Sequence, residues 1–410
     1  MQLPELHTWH DVPRFYAWLG DMREKHPVFY DPDADCWHVF RYEDVNRVTT
    51  DYELFSSERQ RSKLLQTIPS PPSLISMDPP QHKRYRNLVS PSFTPRALSP
   101  LAERIRQIVQ ELLNQARPAG QMDFVADFAY PLPTIVIAEM LGVPTADRPL
   151  FKGWADTLLT GQLNARDITH MDEATRTRVL ETRAAMTAYF RQQMAEHRRH
   201  PGNALLDNLM QAEVEGEKLS EEEIISFSTL LLIAGHITTI MLLGQSIICL
   251  TEHPEVLERL RTHPSLIPTM IEEVLRYYSP VWRLLRITTQ EVTIGGQTIP
   301  ENALIFAWLA SANRDERQFP QADRFIADRS PNHHIAFGHG IHFCLGAPLA
   351  RLEASIALPM IVEQLPELCC VPDEMLELLD SRLLMGVKRL PATFRPSIPV
   401  QENQVQSSCK

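Results

Sequence analysis

Apolar positions recur three and four apart along much of the chain, a spacing that predicts helices over 13–26, 81–90, 99–116, 123–141, 172–199 and 203–214. Ser220 followed by Glu223 reads as a capping box. It opens an unusual stretch, because no Asp, Glu, Lys or Arg occurs from Ile224 to Thr251. At about 1.5 Å per residue such a helix runs roughly 45 Å, long enough to cross a bilayer. Yet it carries Ser226, Ser228, Thr229, His236, Thr238, Thr239, Gln245 and Ser246, and lipid offers such groups no partners. The pattern therefore predicts a helix through the middle of a folded protein, not a membrane span. Two further helices are expected at 265–278 and 347–364.

Strand signals are sparser. Residues Cys36 to Tyr42 read as a short strand, and Val292 to Ile299 as a hairpin turning on Gly295 and Gly296. Pro69, Pro71, Pro72, Pro79 and Pro80 keep 58–80 from forming a long helix, and 311–344 has no periodicity. No repeat or composition break marks a linker. The expectation is one large domain over residues 1–400, mainly α with a small β part, followed by a polar tail at 401–410.

Composition adds exclusions. Of 410 residues 44% are hydrophobic, ample for a packed core and too many for a disordered chain. Forty basic against 51 acidic residues leave a net charge of −11, which argues against a nucleic-acid binder. Six cysteines without a CxxC pair make no disulfide framework and no zinc ribbon. The opening MQLPELHTWHDV has neither a basic nor an apolar export region, so the cytoplasm is the expected compartment.

The densest chemistry lies in Phe337-Gly-His-Gly-Ile-His-Phe-Cys-Leu-Gly346. Cys344 stands between two glycines, just ahead of a predicted helix whose amides face it, a setting that lowers a thiol's pKa. Such a thiolate serves as a metal ligand or a nucleophile. A buried structural cysteine is the plain alternative. A zinc site among His333, His334, His339, His342 and Cys344 is another, although the glycines break the usual ligand spacing.

The run Phe337-x-x-Gly340-x-His342-x-Cys344-x-Gly346 resembles the haem-ligand signature of the cytochrome P-450 family of haem-thiolate monooxygenases. The likeness extends in order from about residue 15 to 397. It implies haem b as cofactor, Cys344 as its axial thiolate, His342 on a haem propionate, and a long central helix over the haem. Glu273-Val-Leu-Arg276 matches the family's Glu-x-x-Arg helix, with Arg324 as its third partner, fixing the cysteine loop. His82 and Arg86, one helical turn apart, resemble the family's early propionate clamp, and Arg286 its later arginine. Ala234-Gly-His-Ile-Thr238 resembles the oxygen-binding segment. There Ala234 and Gly235 would leave room for O2, and Thr238 would be the alcohol that relays protons.

One position departs from the family. Ile237 stands where an acid usually precedes the threonine, and isoleucine relays no proton. Protons would then come by water or a polar substrate group, or peroxide would serve directly as oxidant. The resemblance also implies an apolar pocket lined by Val281, Trp282, Leu284, Leu285, Leu384 and Met385, with parts of 60–76 and 155–180. The implied activity is insertion of one oxygen atom from O2 into an apolar small molecule, by hydroxylation or epoxidation. The implied partners are a ferredoxin and its reductase, docking near Lys83, Arg84 and Arg351, on a monomer that binds neither nucleic acid nor membrane. Its rivals are a peroxide-driven enzyme of the same fold, a haem-binding protein without catalysis and a zinc hydrolase.

Overall fold

The computed structural model describes residues 3–62, 73–163, 173–371, 376–381 and 383–397. The expected tail at 401–410, residues 63–72 and 164–172 of the expected pocket, and Arg382 lie outside them.

The helices fall close to the periodicity. They include Val12–Lys25, Gln81–Val89, Leu101–Ala116, Glu173–Arg199, Leu205–Gln211, Ile267–Tyr277 and Ala347–Gln364. The span expected as one helix over 123–141 is broken. Strand Gln121–Asp123 and a π-turn at Val125–Ala129 precede a helix that starts only at Pro131 and ends at Leu141. Pro131 supplies no N–H and so suits a first helical position. Tyr42–Thr50 and Arg148–Leu163 are helices that the pattern did not reveal. The first has only 9 residues, about two and a half turns, and buries only Val45, Val48 and Thr49, too short a run for periodicity to show.

The charge-free helix runs from Glu221 to Glu252. Its capping box is formed, with the Glu223 N–H donating to Ser220 Oγ (3.1 Å) and the Ser220 N–H to the Glu223 carboxylate (2.8 Å). It is long and apolar enough to cross a membrane, but every residue from Thr239 to Leu250 is buried inside the protein. Helices Pro131–Leu141, Arg148–Leu163, Ile267–Tyr277 and Ala347–Gln364 pack around it. Ser228, Ser246 and Thr251 donate to carbonyls one turn back, at Ile224, Leu242 and Ile247. Such back-bonding lets hydroxyls enter an apolar core without outside partners.

The β part is a five-stranded sheet in the order Val28–Asp31, Cys36–Val39, Leu304–Ala307, Leu284–Thr288, Phe55–Ser56. Leu304–Ala307 runs parallel to Cys36–Val39 and antiparallel to Leu284–Thr288, with Arg286 opposite Ile305. The Val292–Ile299 hairpin is present, and both turn glycines have positive φ (53° and 77°), as a type I′ turn requires. Gln121–Asp123 joins Pro391–Thr393 and Cys369–Cys370 in a second small sheet. Distant parts of the chain also meet, for the Trp9 N–H donates to Leu376 O and the Leu378 N–H to His7 O, each at 2.8 Å.

Candidate functional site

Cys344 ends a loop that its own backbone closes. Its N–H donates to Phe337 O (2.9 Å), and the Phe343 N–H to Gly340 O (3.1 Å). Gly340 holds φ at 69°, and a Cβ there would lie 2.8 Å from Thr50 Cα. Only glycine lets the loop rest so close on the helix Tyr42–Thr50. Burial pushes the Cys344 thiol up, and the pull of the Gly346 and Ala347 amides and of Arg86 does not offset it. The lowered thiol pKa expected from the helix start is therefore outweighed by desolvation.

The loop is held from behind by one buried carboxylate. Glu273 accepts from Arg276 through two nitrogens (2.8 Å each), from Arg329 Nε, from Asn332 Nδ2 and from the Ile326 N–H. Arg276 reaches on to the carbonyls of Asn313, Ala322 and Arg324. Asn313 accepts the Ile335 N–H, two residues before Phe337. The expected third partner, Arg324, is corrected to Arg329. The Arg324 side chain is exposed and donates to Gln321, and only its carbonyl joins the network. Beside it Arg351 chelates Glu272 (2.7 Å twice) and stacks on the Phe337 ring at 4.6 Å. Burial pushes the Glu272 carboxyl up, but its bonds to Arg351 and His334 outweigh that and hold it at about 2.

Histidine and arginine side chains gather near the cysteine. The His82 and His342 rings lie 4.3 Å apart, and the Nε2 atoms of both are buried with no hydrogen-bond partner among the described residues. Burial, helped by His342 and Arg86, pushes His82 down to about 4. Burial likewise lowers Arg286, to about 10. Arg86 donates to Phe343 O (2.8 Å), which ties the helix Gln81–Val89 to the cysteine loop. Asp78, not singled out in the sequence, is the carboxylate nearest His342, at 4.0 Å. It stands one turn before His82, and its other oxygen bonds Ser56. Buried donors without acceptors and guanidiniums held below their usual range are what two carboxylates of a ligand would satisfy. The residues thus fit a haem carrying two propionates. They do not fit zinc: His334 bonds Glu272, His339 bonds Asn46, and His333 is exposed. No cluster of metal-binding side chains occurs among the described residues.

The central helix has one open face in its first half. Between Ile224 and Leu250, Ser226, Thr229, Leu230, Ile233, Ala234, Gly235 and Thr238 are partly or wholly exposed and the rest are buried; apart from Gly235 they recur at three- and four-residue spacing. Thr238 Oγ1 donates to Ala234 O (2.8 Å) and keeps lone pairs free to accept. Gly235 does not leave room on this face. A Cβ there would meet Ile137 Cδ1 at 2.7 Å, so it serves helix packing. Ile237 is buried with Met241, against Ile233, Leu379 and Leu384.

Among the expected pocket residues, Val281 is bridged to Leu384, and Leu284 shares a strand face with Arg286 and reaches toward Gly338. Leu285 points to the opposite face of the strand and packs on the main core. Met385 is fully buried with its sulfur 4.0 Å from Tyr16 Oη. Trp282 stacks against Phe15 at 4.5 Å. These last three are core, because adjacent strand residues cannot face one side together.

A closed cysteine loop, buried histidine and arginine donors beside it and a threonine-bearing open helix face are the features that a haem-thiolate site combines. The chain belongs to the cytochrome P450 family, whose model matches residues 1–391. It is a haem-thiolate monooxygenase with haem b as cofactor. Cytochrome P450 109 of Bacillus spizizenii is 42% identical, over 96% of this chain and 95% of that protein. Erythromycin C-12 hydroxylase of Saccharopolyspora erythraea is 40% identical over 93% and 94%. The crystal structure of CYP109E1 from Bacillus megaterium with testosterone superposes with a TM-score of 0.84 at 37% identity, covering 92% and 99%.

Proposed function

We propose that this single-domain protein inserts one atom of O2 into an apolar small molecule in the cytoplasm, as a monomer reduced by a ferredoxin and its reductase. The observation that carries this reading is the convergence of His82, Arg86, Arg286 and His342 beside Cys344, and the partly exposed stripe with Ala234 and Thr238 on the central helix supports it. Bound haem supplies a redox-active iron that activates oxygen. Cys344 would hold it through sulfur, as a thiolate, since a metal-bound cysteine is deprotonated. His82, Arg86, Arg286 and His342 would bind the two propionates and orient the ring. Ala234, lacking bulk beyond Cβ, keeps space on the reacting side. Thr238 Oγ1 donates to Ala234 O at rest; with the hydroxyl rotated away from that carbonyl it would give its proton to an acceptor on the reacting side and take a replacement proton from a water hydrogen-bonded to Oγ1. Val281, Leu284 and Leu384 would exclude water from the reacting carbon. Glu273, Arg276 and Arg329 act at a distance by holding the loop.

Of the three expected docking cations, Arg84 is paired to Glu217 and Glu223, and Arg351 to Glu272. Lys83 is exposed and is the docking residue that remains in this reading. A second reading, direct use of peroxide, is favoured by Ile237, which is enclosed by apolar neighbours and offers no acid. One experiment separates the two. The reduced, CO-bound protein should show the long-wavelength Soret band of thiolate-ligated haem. Turnover should then be faster with a ferredoxin, its reductase and NAD(P)H than with hydrogen peroxide. Faster peroxide turnover selects the second reading, and a band at the ordinary position removes Cys344 as ligand.

A further inference from the structure

Behind Ile237 the second half of the central helix borders a cavity of about 320 Å³. Ile237, Met241, Gly244 and Ile248 form one wall, and Leu379 and Val387 of the segment that doubles back near Leu384 form the other. The lining is apolar except at a few points, and one of these is unusual. Gln245 is 1% exposed, yet it borders the cavity. Its Nε2 donates to Met385 O (2.9 Å), which fixes the amide's orientation, because a carbonyl oxygen cannot donate to another carbonyl. Its Oε1 is therefore turned away from Met385, buried, and accepts from nothing among the described residues. A buried acceptor left unpaired beside an apolar cavity is costly unless a ligand brings the donor.

Position ties this cavity to the reacting side. Gln245 follows Thr238 by seven residues, so both lie on one helix face, two turns or roughly 10 Å apart. Ile237, which lines the cavity, is the residue next to Thr238 and packs against Leu384. We propose that the cavity holds the far end of the substrate, an apolar arm ending in a hydroxyl or other neutral donor. Gln245 Oε1 accepts from that donor, with Ile237 and Leu384 lining the passage toward Thr238. On this view Ile237, where a proton-relaying acid was expected, is a specificity-determining residue. The inference rests on the haem-thiolate reading of the site and adds the substrate's chemistry to it.

The test titrates haem-loaded protein by calorimetry with octan-1-ol and with its isomer 1-methoxyheptane. The two have the same atoms and similar length, but only the alcohol can donate. The alcohol should bind at least about tenfold more tightly. Gln245→Leu should bring the two affinities together. Gly244→Leu keeps Gln245 and fills the cavity. It has room to do so, since a Cβ at Gly244 has its nearest neighbour, Leu390, at 4.0 Å. It should weaken the alcohol at least about tenfold and leave the CO-bound Soret band unchanged. Equal affinities in the unaltered protein, no binding of either isomer, a preference that survives Gln245→Leu, or full binding by Gly244→Leu would each overturn the proposal. If the long-wavelength CO band is present and any of these occurs, this inference alone fails. If the band is absent, the haem-thiolate reading fails and takes the inference with it.

Discussion

Arg324 and Arg329 lie five residues apart in one irregular run, and either satisfies a sequence pattern that asks for a second arginine after Glu-x-x-Arg. The choice is made by the turns that return the chain to Glu273, and these leave Arg324 in solvent and Arg329 in the core. The two make unequal demands on stability. Arg329→Ala removes one of the two arginines on the buried Glu273 carboxylate and the donor to the Pro320 and Gln321 carbonyls, with an expected cost of about 3–5 kcal/mol and loss of the thiolate CO band. Arg324→Ala should stay within about 0.5 kcal/mol. Denaturant titration of both variants checks this, and equal effects would refute the assignment. The Glu273–Arg276 pair was legible because its spacing puts the two side chains on one helix face. Arg329, Asp78 and Gln245 were not. Each is an ordinary residue type whose significance comes from burial and from which partner it lacks.

Among the elements, the central helix was the most legible, since a long charge-free run with polar residues inside has few physical solutions. Tyr42–Thr50 and the break at Val125–Ala129 were not, being set by tertiary contacts that override short-range preference. The cysteine helix Ala347–Gln364 hides a second ionisable group. Glu353 is fully buried, neither carboxyl oxygen has a partner among the described residues, and burial pushes its carboxyl up to about 8. Below its ordinary value near 4.5 both folded and unfolded chains hold the proton, and folding is not penalised. Between there and about 8 only the folded chain keeps it, so stability falls as pH rises, by a few kcal/mol in all. Glu353→Gln lacks this dependence. Its melting temperature should exceed that of the unaltered protein at pH 8 by more than at pH 5. A gap that does not widen with pH would mean that water or an unseen partner ionises the group.

For the whole molecule, the mainly helical class followed from periodicity. The order of the sheet did not, because its strands come from residues 28–56 and 284–307 and nothing local announces their pairing. Net charge was legible too, but its distribution was not, since most arginines near the site are spent on internal carboxylates. That leaves a narrow basis for docking an acidic electron donor. Lys83→Glu should slow reduction by ferredoxin severalfold at low ionic strength, with the difference shrinking as salt is added. Stopped-flow reduction measures it, and a salt-independent or absent effect moves the docking face elsewhere.

The backbone pairing of His7 and Trp9 with Leu378 and Leu376 has a consequence for biogenesis. On the ribosome the segment around His7 emerges early and must wait for nearly the whole chain before its partner exists. The same late segment provides the Met385 carbonyl that orients Gln245 and the leucine that meets Ile237. Closure of the fold and completion of the pocket wall are thus the same late event, and a nascent chain arrested before Leu376 carries the cysteine loop but not a finished binding wall. Such non-local closure slows folding and makes the final residues of the wall a checkpoint in synthesis.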